Sequence, residues 1–376
     1  MFPGRNDPCW CGSGQKFRRC HLNRERAVPM SAEEALNQHR AAWSKKYCLH
    51  PEAGQKACRG GIARAHTISK KASLQRIGDG GHVCQLSVTI PPRRGLHCVP
   101  SLQRVGLNEA STFTGFCARH DNETFGPIDR NYFLSNSQHA FLVGYRAICR
   151  ELFGKTIYAE KTTPSLRELD RGRSLGTQIA LQTQITHFQK EVDAGLRELT
   201  RHKKAFDRVL TSGDFRPAKF YVVRLISCPE IMCCGAIFPE REFEGKLLQD
   251  FANNLSAPMD CLSYSIFGTD LGGVAVFAWV GEVNATCSRF VGSLHAQRDN
   301  DIPNALVRFT FEFFDNTYFS EAWWNGLGSE ARANLVRRAD TGTPGIRPLH
   351  SVDALKEDGV NFVSWQVTAR ETNATW

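Results

Sequence analysis

The chain has 376 residues, a length that predicts two or three domains. Hydrophobic residues make up 41% and charged residues 23%, which excludes a wholly disordered, collagen-like or rod-like coiled-coil chain. No apolar run reaches the roughly 18 residues of a membrane helix, and the first seven residues lack the apolar core of a secretory signal. We therefore expect a cytoplasmic protein without membrane attachment.

Basic residues and cysteines are both concentrated in the N-terminal part. Residues 1–110 contain 18 Lys and Arg against 7 Asp and Glu, so they carry 18 − 7 = +11, whereas the whole chain carries +9. This excess favours a polyanionic partner such as nucleic acid, with a solvated basic surface as the alternative. Nine of the 14 cysteines precede residue 150, and in a reducing compartment clustered cysteines near histidines indicate metal binding. Redox sensing is another alternative, but the sequence identifies no exposed, low-pKa thiol.

The first cysteine cluster lies within residues 5–22. Three thiolates and one imidazole are the ligand set of a closed, tetrahedral structural zinc site. Gly12 and Gly14 allow the backbone to turn tightly around the ion, and metal binding would supply the folding energy that so short a segment lacks. The candidate zinc ligands are Cys9, Cys11, Cys20 and His21.

This segment closely resembles the SEC-C motif, a small zinc module at the tail of the preprotein translocase ATPase and in other bacterial proteins. The resemblance is carried by the ligands, by the lead-in Asn6-Asp7-Pro8-Cys9 and by the loop Cys11-Gly12-Ser13-Gly14. It implies a docking module for a protein or the ribosome and no catalysis, and a purely structural clip is the alternative. Next, Ser31 and Glu34 have the spacing of a helix start, which predicts a linker with a short helix over residues 25–46.

A second set of cysteines and histidines follows the linker. Cys48 and Cys58 flank a loop, residues 62–69 are predicted to form a strand, and a Cys–His pair three residues apart fits the first turn of a helix. A loop pair, a hairpin and a helix-start pair together describe a treble-clef zinc site. Buried cysteines and a core histidine are the alternative, because the gap between the first two ligands is wider than usual. The proposed ligands are Cys48, Cys58, Cys117 and His120.

This arrangement is similar to the ββα treble clef of the HNH nuclease superfamily. The family places a general-base histidine on the first strand, where this chain has His66, and a metal-binding residue directly after the last zinc ligand, where it has Asp121. The resemblance implies that His66 takes a proton from water and that Asp121 holds Mg²⁺ or Mn²⁺ at the scissile phosphate. Zinc would be structural: it would fix the strand and the helix relative to each other, and thereby bring His66 and Asp121 together.

The chain departs from the family pattern at three positions. Ala65 stands where the family usually has Asp or His, Thr112 stands near the place of the middle Asn, and Asp121 replaces the last His. The long hairpin contains His82 and His97, either of which is a candidate for the lost ligand. These departures keep open a treble clef that binds nucleic acid or protein without catalysis.

Basic residues that follow the first strand or lie in the long hairpin could contact phosphates in a charge-driven, sequence-independent mode. Together with the candidate catalytic pair, they favour a metal-dependent, HNH-like endonuclease, and by association a role in bacterial defence or as a toxin. The alternative is a non-catalytic, zinc-stabilised protein that binds nucleic acid, the ribosome or another protein. The basic candidates are Lys70, Lys71, Arg93, Arg94 and Arg104.

The middle of the chain is predicted to be helical, with one helix over residues 136–153 and a long one over residues 176–211. Apolar residues of the long helix form a seam at near-heptad spacing, which is typical either of an internal brace or of a homodimeric coiled coil. The seam residues are Ile185, Phe188, Val192, Leu199, Phe206 and Val209.

The last part of the chain alternates apolar strand patterns with helix patterns, which predicts an α+β domain of unknown role. Its cysteines have neither paired spacing nor adjacent histidines, so they are interpreted as small core hydrophobes. These cysteines are Cys228, Cys233, Cys234, Cys261 and Cys287. Predicted strands lie at 220–226, 231–238, 264–267 and 274–279, and predicted helices at 303–315 and 318–339.

The sequence therefore predicts an α+β protein made of five consecutive parts. Two are zinc modules, and the second of these carries the candidate catalytic residues. The parts are a SEC-C-like module at 1–24, a linker with a helix at 25–46, an HNH-like treble-clef domain at 47–135, a helical segment at 136–214 and an α+β domain at 215–376.

Overall fold

A computed structural model describes residues 3–54, 56–89, 99–130, 132–250, 254–281, 285–340 and 351–376. Strands and helices are mixed along these ranges, which confirms the predicted α+β class. The strands are β1 (Ile62–His66), β2 (His82–Thr89), β3 (Val99–Gly106), β4 (Thr112–Cys117), β5 (Ala218–Leu225), β6 (Ile231–Ile237), β7 (Leu262–Thr269), β8 (Gly272–Val280), β9 (Thr317–Phe319) and β10 (Val367–Thr372).

The helices range from one turn to ten turns in length, and none within these ranges is both long and apolar enough to cross a lipid bilayer. Short π- and 3-10-helical segments lie at 24–26, 70–74, 158–162 and 167–170. The α-helices are α1 (Phe17–Cys20), α2 (Ala32–Trp43), α3 (Gln75–Ile77), α4 (Ala118–Arg130), α5 (Ser137–Ile157), α6 (Thr163–Leu166), α7 (Leu175–Ser212), α8 (Ala285–His295), α9 (Ile302–Phe313), α10 (Glu321–Gly326) and α11 (Ser329–Ala339).

One antiparallel sheet organises most of the described chain, with the strand order β10-β5-β8-β7-β6-β9-β2-β3. Its central strands are buried on both faces, which explains their nearly continuous apolar sequences. Helix α5 covers one face and packs against helix α7, whereas α8 and α9 contribute to the apolar core on the other face. The fold is therefore a sheet between two helical layers.

The remaining two strands, β1 and β4, pair with each other, and β4 leads directly into α4. The chain between them, residues 67–111, carries β2 and β3, and these strands join the large sheet through β9. The large sheet consequently crosses the boundary expected between residues 47–135 and 215–376. The sequence pattern could not reveal this pairing, because strand partners far apart along the chain leave no local signal.

Most predicted elements appear close to their expected positions. Ser31 caps α2, since its Oγ accepts a hydrogen bond from the backbone N–H of Glu34 at 3.0 Å. The single helix predicted over 318–339 is wrong, because this stretch contains the end of β9 and the separate helices α10 and α11. Ser320 starts α10 by accepting from the N–H of Trp323, and the backbone leaves the helical conformation at Leu327.

The seam of α7 is directed into its own chain. Ile185, Val192, Leu199 and Phe206 are buried, and the ring of Phe206 stacks on that of Phe141 from α5 at 5.3 Å. Burial inside the same chain is what the internal-brace interpretation predicts. A homodimer through this helix would therefore have to use a different face.

Candidate metal centres and the His66–Asp121 site

The first centre is formed by the turn that precedes α1 and by the end of that helix. Gly12 and Gly14 have φ angles of 74° and 72°, the left-handed conformation that lets the backbone fold back on itself. The four candidate ligand atoms lie within 4.8 Å of one another, and His21 Nδ1 is 3.2 Å from Cys9 Sγ. Such spacings are close to the roughly 3.5 Å edges of a tetrahedral zinc site. The predicted ligands Cys9, Cys11, Cys20 and His21 thus form a cluster that could hold zinc.

The thiols of this centre differ in acidity. Burial favours the neutral form of Cys11, but hydrogen bonds from Ser13, Cys20 and Cys9 together lower the pKa of Cys11 to about 7. Burial raises the pKa of Cys20 to about 12, and the neighbouring Cys11 thiolate adds to this effect. Adjacent thiolates repel each other, so a bound cation is what would allow all three to lose their protons.

The second centre joins the loop before β1 to the start of α4. His120 Nδ1 lies 3.3 Å from the sulfurs of Cys48 and Cys117 and 3.8 Å from that of Cys58. Cys117 ends β4 and His120 lies on the first turn of α4, which gives the predicted helix-start spacing. These four residues lie within 4.8 Å of one another and also could hold zinc.

His50 and Glu52 lie beside the second centre, and their ligand atoms are within 4.8 Å of those of His120. The rings of His50 and His120 are stacked, with centroids 4.0 Å apart and an angle of 10°. An imidazole nitrogen binds an ion in the plane of its ring, and two parallel planes do not meet at one ion. We therefore interpret His50 as a residue that covers the ring of His120 and not as a metal ligand. Burial lowers the pKa of His50 to about 4.

His66, the predicted base, is half-buried at the end of β1. Its Nε2 lies 3.1 Å from the carbonyl oxygen of Leu107, which can only accept a hydrogen bond. A neutral ring in this position carries its proton on Nε2, so Nδ1 is the basic nitrogen. Burial lowers the pKa of His66 below its usual value, although the Leu107 carbonyl acts in the opposite direction.

Asp121, the predicted metal-binding residue, lies on the first turn of α4 next to His120. Burial raises its pKa, whereas the positive charge of Arg146 and that of protonated His66 lower it. Arg146 comes from α5, is 4% exposed and holds Asp129 through two hydrogen bonds of 3.0 and 2.6 Å. The charges of His66 and Arg146 thus both act on Asp121, and Arg146 is a buried guanidinium.

These residues do not fit a divalent ion. Besides the two cysteine-rich clusters and the His50 group, the described residues contain no cluster of three acidic, histidine or cysteine side chains that could hold a metal. Asp121 has a buried cation, Arg146, in its vicinity, and a positive charge opposes the binding of Mg²⁺ or Mn²⁺. His82 is exposed and directs Nδ1 to the carbonyl of Gly80, and His97 lies outside the described residues.

The predicted phosphate-binding residues are dispersed. Lys70 Nζ lies 2.5 Å from the Asn108 side-chain oxygen, and Arg104 forms an ion pair with Glu321 at 3.2 Å. Lys71 is exposed. Arg93 and Arg94 lie outside the described residues.

Four of the five C-terminal cysteines are buried, namely Cys233, Cys234, Cys261 and Cys287, and Cys228 is half-buried. Their positions agree with the interpretation as core residues. Sequence reasoning missed Arg146 and His50, because an arginine or a histidine without neighbouring ligands carries no motif. It also missed Asp170, whose side chain reaches the first centre from 149 residues away.

Comparisons with known proteins give one family motif and short matches to curated proteins. The SEC-C motif matches residues 5–23, which confirms that part of the resemblance. A methionine aminopeptidase of Chlamydia pneumoniae is 53% identical over 38 residues, 10% of this chain and 12% of that protein. The protein translocase subunit SecA of Chloroflexus aggregans is 77% identical over 22 residues, and that of Roseiflexus sp. is 46% identical over 41 residues.

These matches cover 6% and 11% of this chain and 2% and 4% of the two SecA proteins. The chain therefore spans only a small fraction of the length of the curated relatives that it matches. No solved structure matches it.

Proposed function

We propose that the protein hydrolyses nucleic-acid phosphodiesters with an HNH-like site built on the second metal centre. The order of elements supports a treble clef: a loop with two cysteines, the strand β1, the strand β4 that ends with Cys117, and the helix α4 that carries His120. His66 and Asp121 occupy the family's two catalytic positions in this order. Zinc, once bound to the second centre, holds the loop and the helix in place.

The single observation that carries this proposal is the hydrogen bond between His66 and Leu107. It orients the imidazole so that Nδ1 is the basic nitrogen, and the lowered pKa keeps the ring neutral near pH 7. A neutral, oriented imidazole is suited to take a proton from an attacking water molecule. Arg146 is the buried cation of the site, and the proposal includes no step through a divalent ion, since the residues do not fit one.

Replacing His66 tests the proposal. We expect His66→Ala to lower the rate of DNA or RNA cleavage by about 10²- to 10⁴-fold, the usual contribution of a general base. His82→Ala is the matched control, because His82 is exposed and its ring bonds the Gly80 carbonyl. Cleavage would be measured with and without added Mg²⁺, and both variants should retain the wild-type zinc content. Equal rates in the wild type and in His66→Ala would remove this residue from the mechanism.

The pH dependence of cleavage provides a second test. His66 must be unprotonated to act as a base, so the rate should fall as the pH drops through its pKa. Because burial lowers that pKa, we expect the midpoint below the usual value of about 6.5 and a plateau above it. A midpoint clearly above 6.5 would contradict the assignment.

A second candidate function is non-catalytic binding of nucleic acid, the ribosome or a protein. The observation that favours it is the Arg146–Asp129 ion pair at 2.6 Å, because the positive charge of Arg146 also acts on Asp121, the residue that would have to hold a catalytic metal. This function predicts salt-sensitive binding without turnover. Cleavage by the wild type separates the two proposals, because His66→Ala is expected to leave the affinity largely unchanged under both of them.

A further inference from the structure

Asp170 connects the first metal centre to the helical part of the chain. Its carboxylate is completely buried, and its Oδ2 lies 2.7 Å from His21 Nε2 and 2.7 Å from the side-chain nitrogen of Gln182. Arg24 Nε donates to Oδ1 at 2.5 Å. A buried carboxylate is therefore compensated jointly by the N-terminal module and by α7.

Neighbouring contacts hold the same two segments together. The N–H of Gly172 donates to the carbonyl of Arg24 at 3.1 Å, and the guanidinium of Arg171 lies 2.6 Å from Glu34. Gly172 has a φ of 69°, and a Cβ at this position would lie 2.7 Å from the carbonyl oxygen of Ala27. Residues 24–34 thus lie directly against residues 167–173, with no room for a side chain at the point of closest approach.

The chemistry of His21 links this interface to the metal. Its Nδ1 faces the cysteine sulfurs and its Nε2 faces Asp170. When Nδ1 binds an ion, the proton of a neutral ring must be on Nε2, and this proton is the one that Asp170 accepts. The carboxylate in turn fixes the orientation of the ring, as partners of metal-bound histidines commonly do.

We propose that Asp170 supports the first metal centre from outside, by holding the ring of its ligand His21. Zinc binding is then coupled to the attachment of the N-terminal module to the chain's own helical segment. Zinc on Nδ1 stabilises the tautomer of His21 that donates a hydrogen bond to Asp170. Asp170 in turn stabilises the zinc-bound module. Because such coupling is reciprocal, loss of the metal weakens the attachment, and loss of the attachment weakens metal binding. This inference is independent of the proposed hydrolase, since neither His21 nor Asp170 belongs to the His66 site.

The first test measures zinc affinity in the full-length protein by competition with a chromophoric chelator. Asp170→Asn preserves the shape but removes the charge, and we expect one of the two zinc ions to bind about 10- to 100-fold more weakly. Asp193→Asn, at an exposed position on α7 whose carboxylate accepts from Gln189, should leave both affinities unchanged. Affinities of Asp170→Asn within twofold of the wild type would overturn the proposal.

A second variant keeps the test decisive if Asp170→Asn does not fold. His21→Cys retains four zinc ligands but removes the nitrogen that donates to Asp170. We expect this variant to bind two zinc ions and yet to exchange the Gly172 amide hydrogen at least tenfold faster than the wild type. Unchanged exchange in a zinc-loaded His21→Cys protein would show that the module is attached without His21, and would overturn the coupling.

Discussion

The two candidate zinc histidines illustrate how the same residue type acquires different surroundings. His21 directs Nε2 to a buried carboxylate, whereas His120 has a buried Nε2 without a hydrogen-bond partner among the described residues and is covered by the ring of His50. A carboxylate raises the basicity of a metal-bound imidazole, and an aromatic face does not do so directly. Two tetrads of identical composition are thus expected to differ in metal affinity.

A third histidine, His202 on α7, makes stability depend on pH. It is 4% exposed, its Nε2 lies 2.7 Å from the carbonyl oxygen of Met259, and burial lowers its pKa. The unfolded chain therefore binds a proton more readily than the folded one. Stability should be fully present above the unfolded pKa of about 6.5 and should decrease as the pH falls below it.

Thermal unfolding of His202→Gln against the wild type between pH 7.5 and about 5.5 measures this effect. We expect the melting temperature of the wild type to decrease more steeply with falling pH than that of the variant. Parallel curves would show that His202 does not contribute to the pH dependence.

At the scale of elements, the approach of α5 to the sheet depends on a glycine. A Cβ at Gly144 would lie 2.6 Å from Ser263 Oγ and 3.1 Å from the Cβ of Ala278, and that hydroxyl already donates to the carbonyl of Ala278. The helix therefore lies closer to β7 and β8 than an alanine would permit. At Gly154, on the same helix, the nearest atom belongs to Trp43 at 3.5 Å, an ordinary contact.

These two glycines allow a matched prediction. Gly144→Ala should lower the free energy of unfolding by about 1–3 kcal/mol, because the added methyl group overpacks the helix–sheet interface. Gly154→Ala should raise it by up to about 1 kcal/mol, because alanine favours the helix without a clash. Chemical denaturation of both variants provides the comparison, and stabilisation by Gly144→Ala would refute the close-packing argument.

For the whole molecule, the insertion of β2 and β3 between β1 and β4 joins the second metal centre to the large sheet. Val83 of β2 and Ile68 and Leu74 near β1 share a buried cluster with Met232 of β6. The hairpin that the metal would stabilise is thus continuous with the core of the sheet. The first centre, by contrast, is attached at the outside of the helical layer through Asp170.

Removal of one zinc ligand at each centre should reveal this difference. We expect about two zinc ions per wild-type chain and one in each of Cys58→Ser and Cys11→Ser by metal analysis. Cys58→Ser should lower the melting temperature of the whole protein more strongly than Cys11→Ser, because its centre is connected to the main sheet. Equal shifts, or a separate early transition in Cys58→Ser, would indicate that the second centre unfolds independently of the sheet.

The sequence by itself determined the members of the two Cys/His clusters that could hold zinc, the cap at Ser31, and the positions of the long helix and of the apolar strands. These features depend on spacing within a short segment, on periodicity or on residue chemistry, which the sequence displays directly. Only the tertiary structure decided that β2 and β3 belong to the large sheet, that Arg146 pairs with Asp129 and that Asp170 contacts His21. Those pairings join residues far apart along the chain, and the burial and charge compensation that select them arise only after the elements have packed.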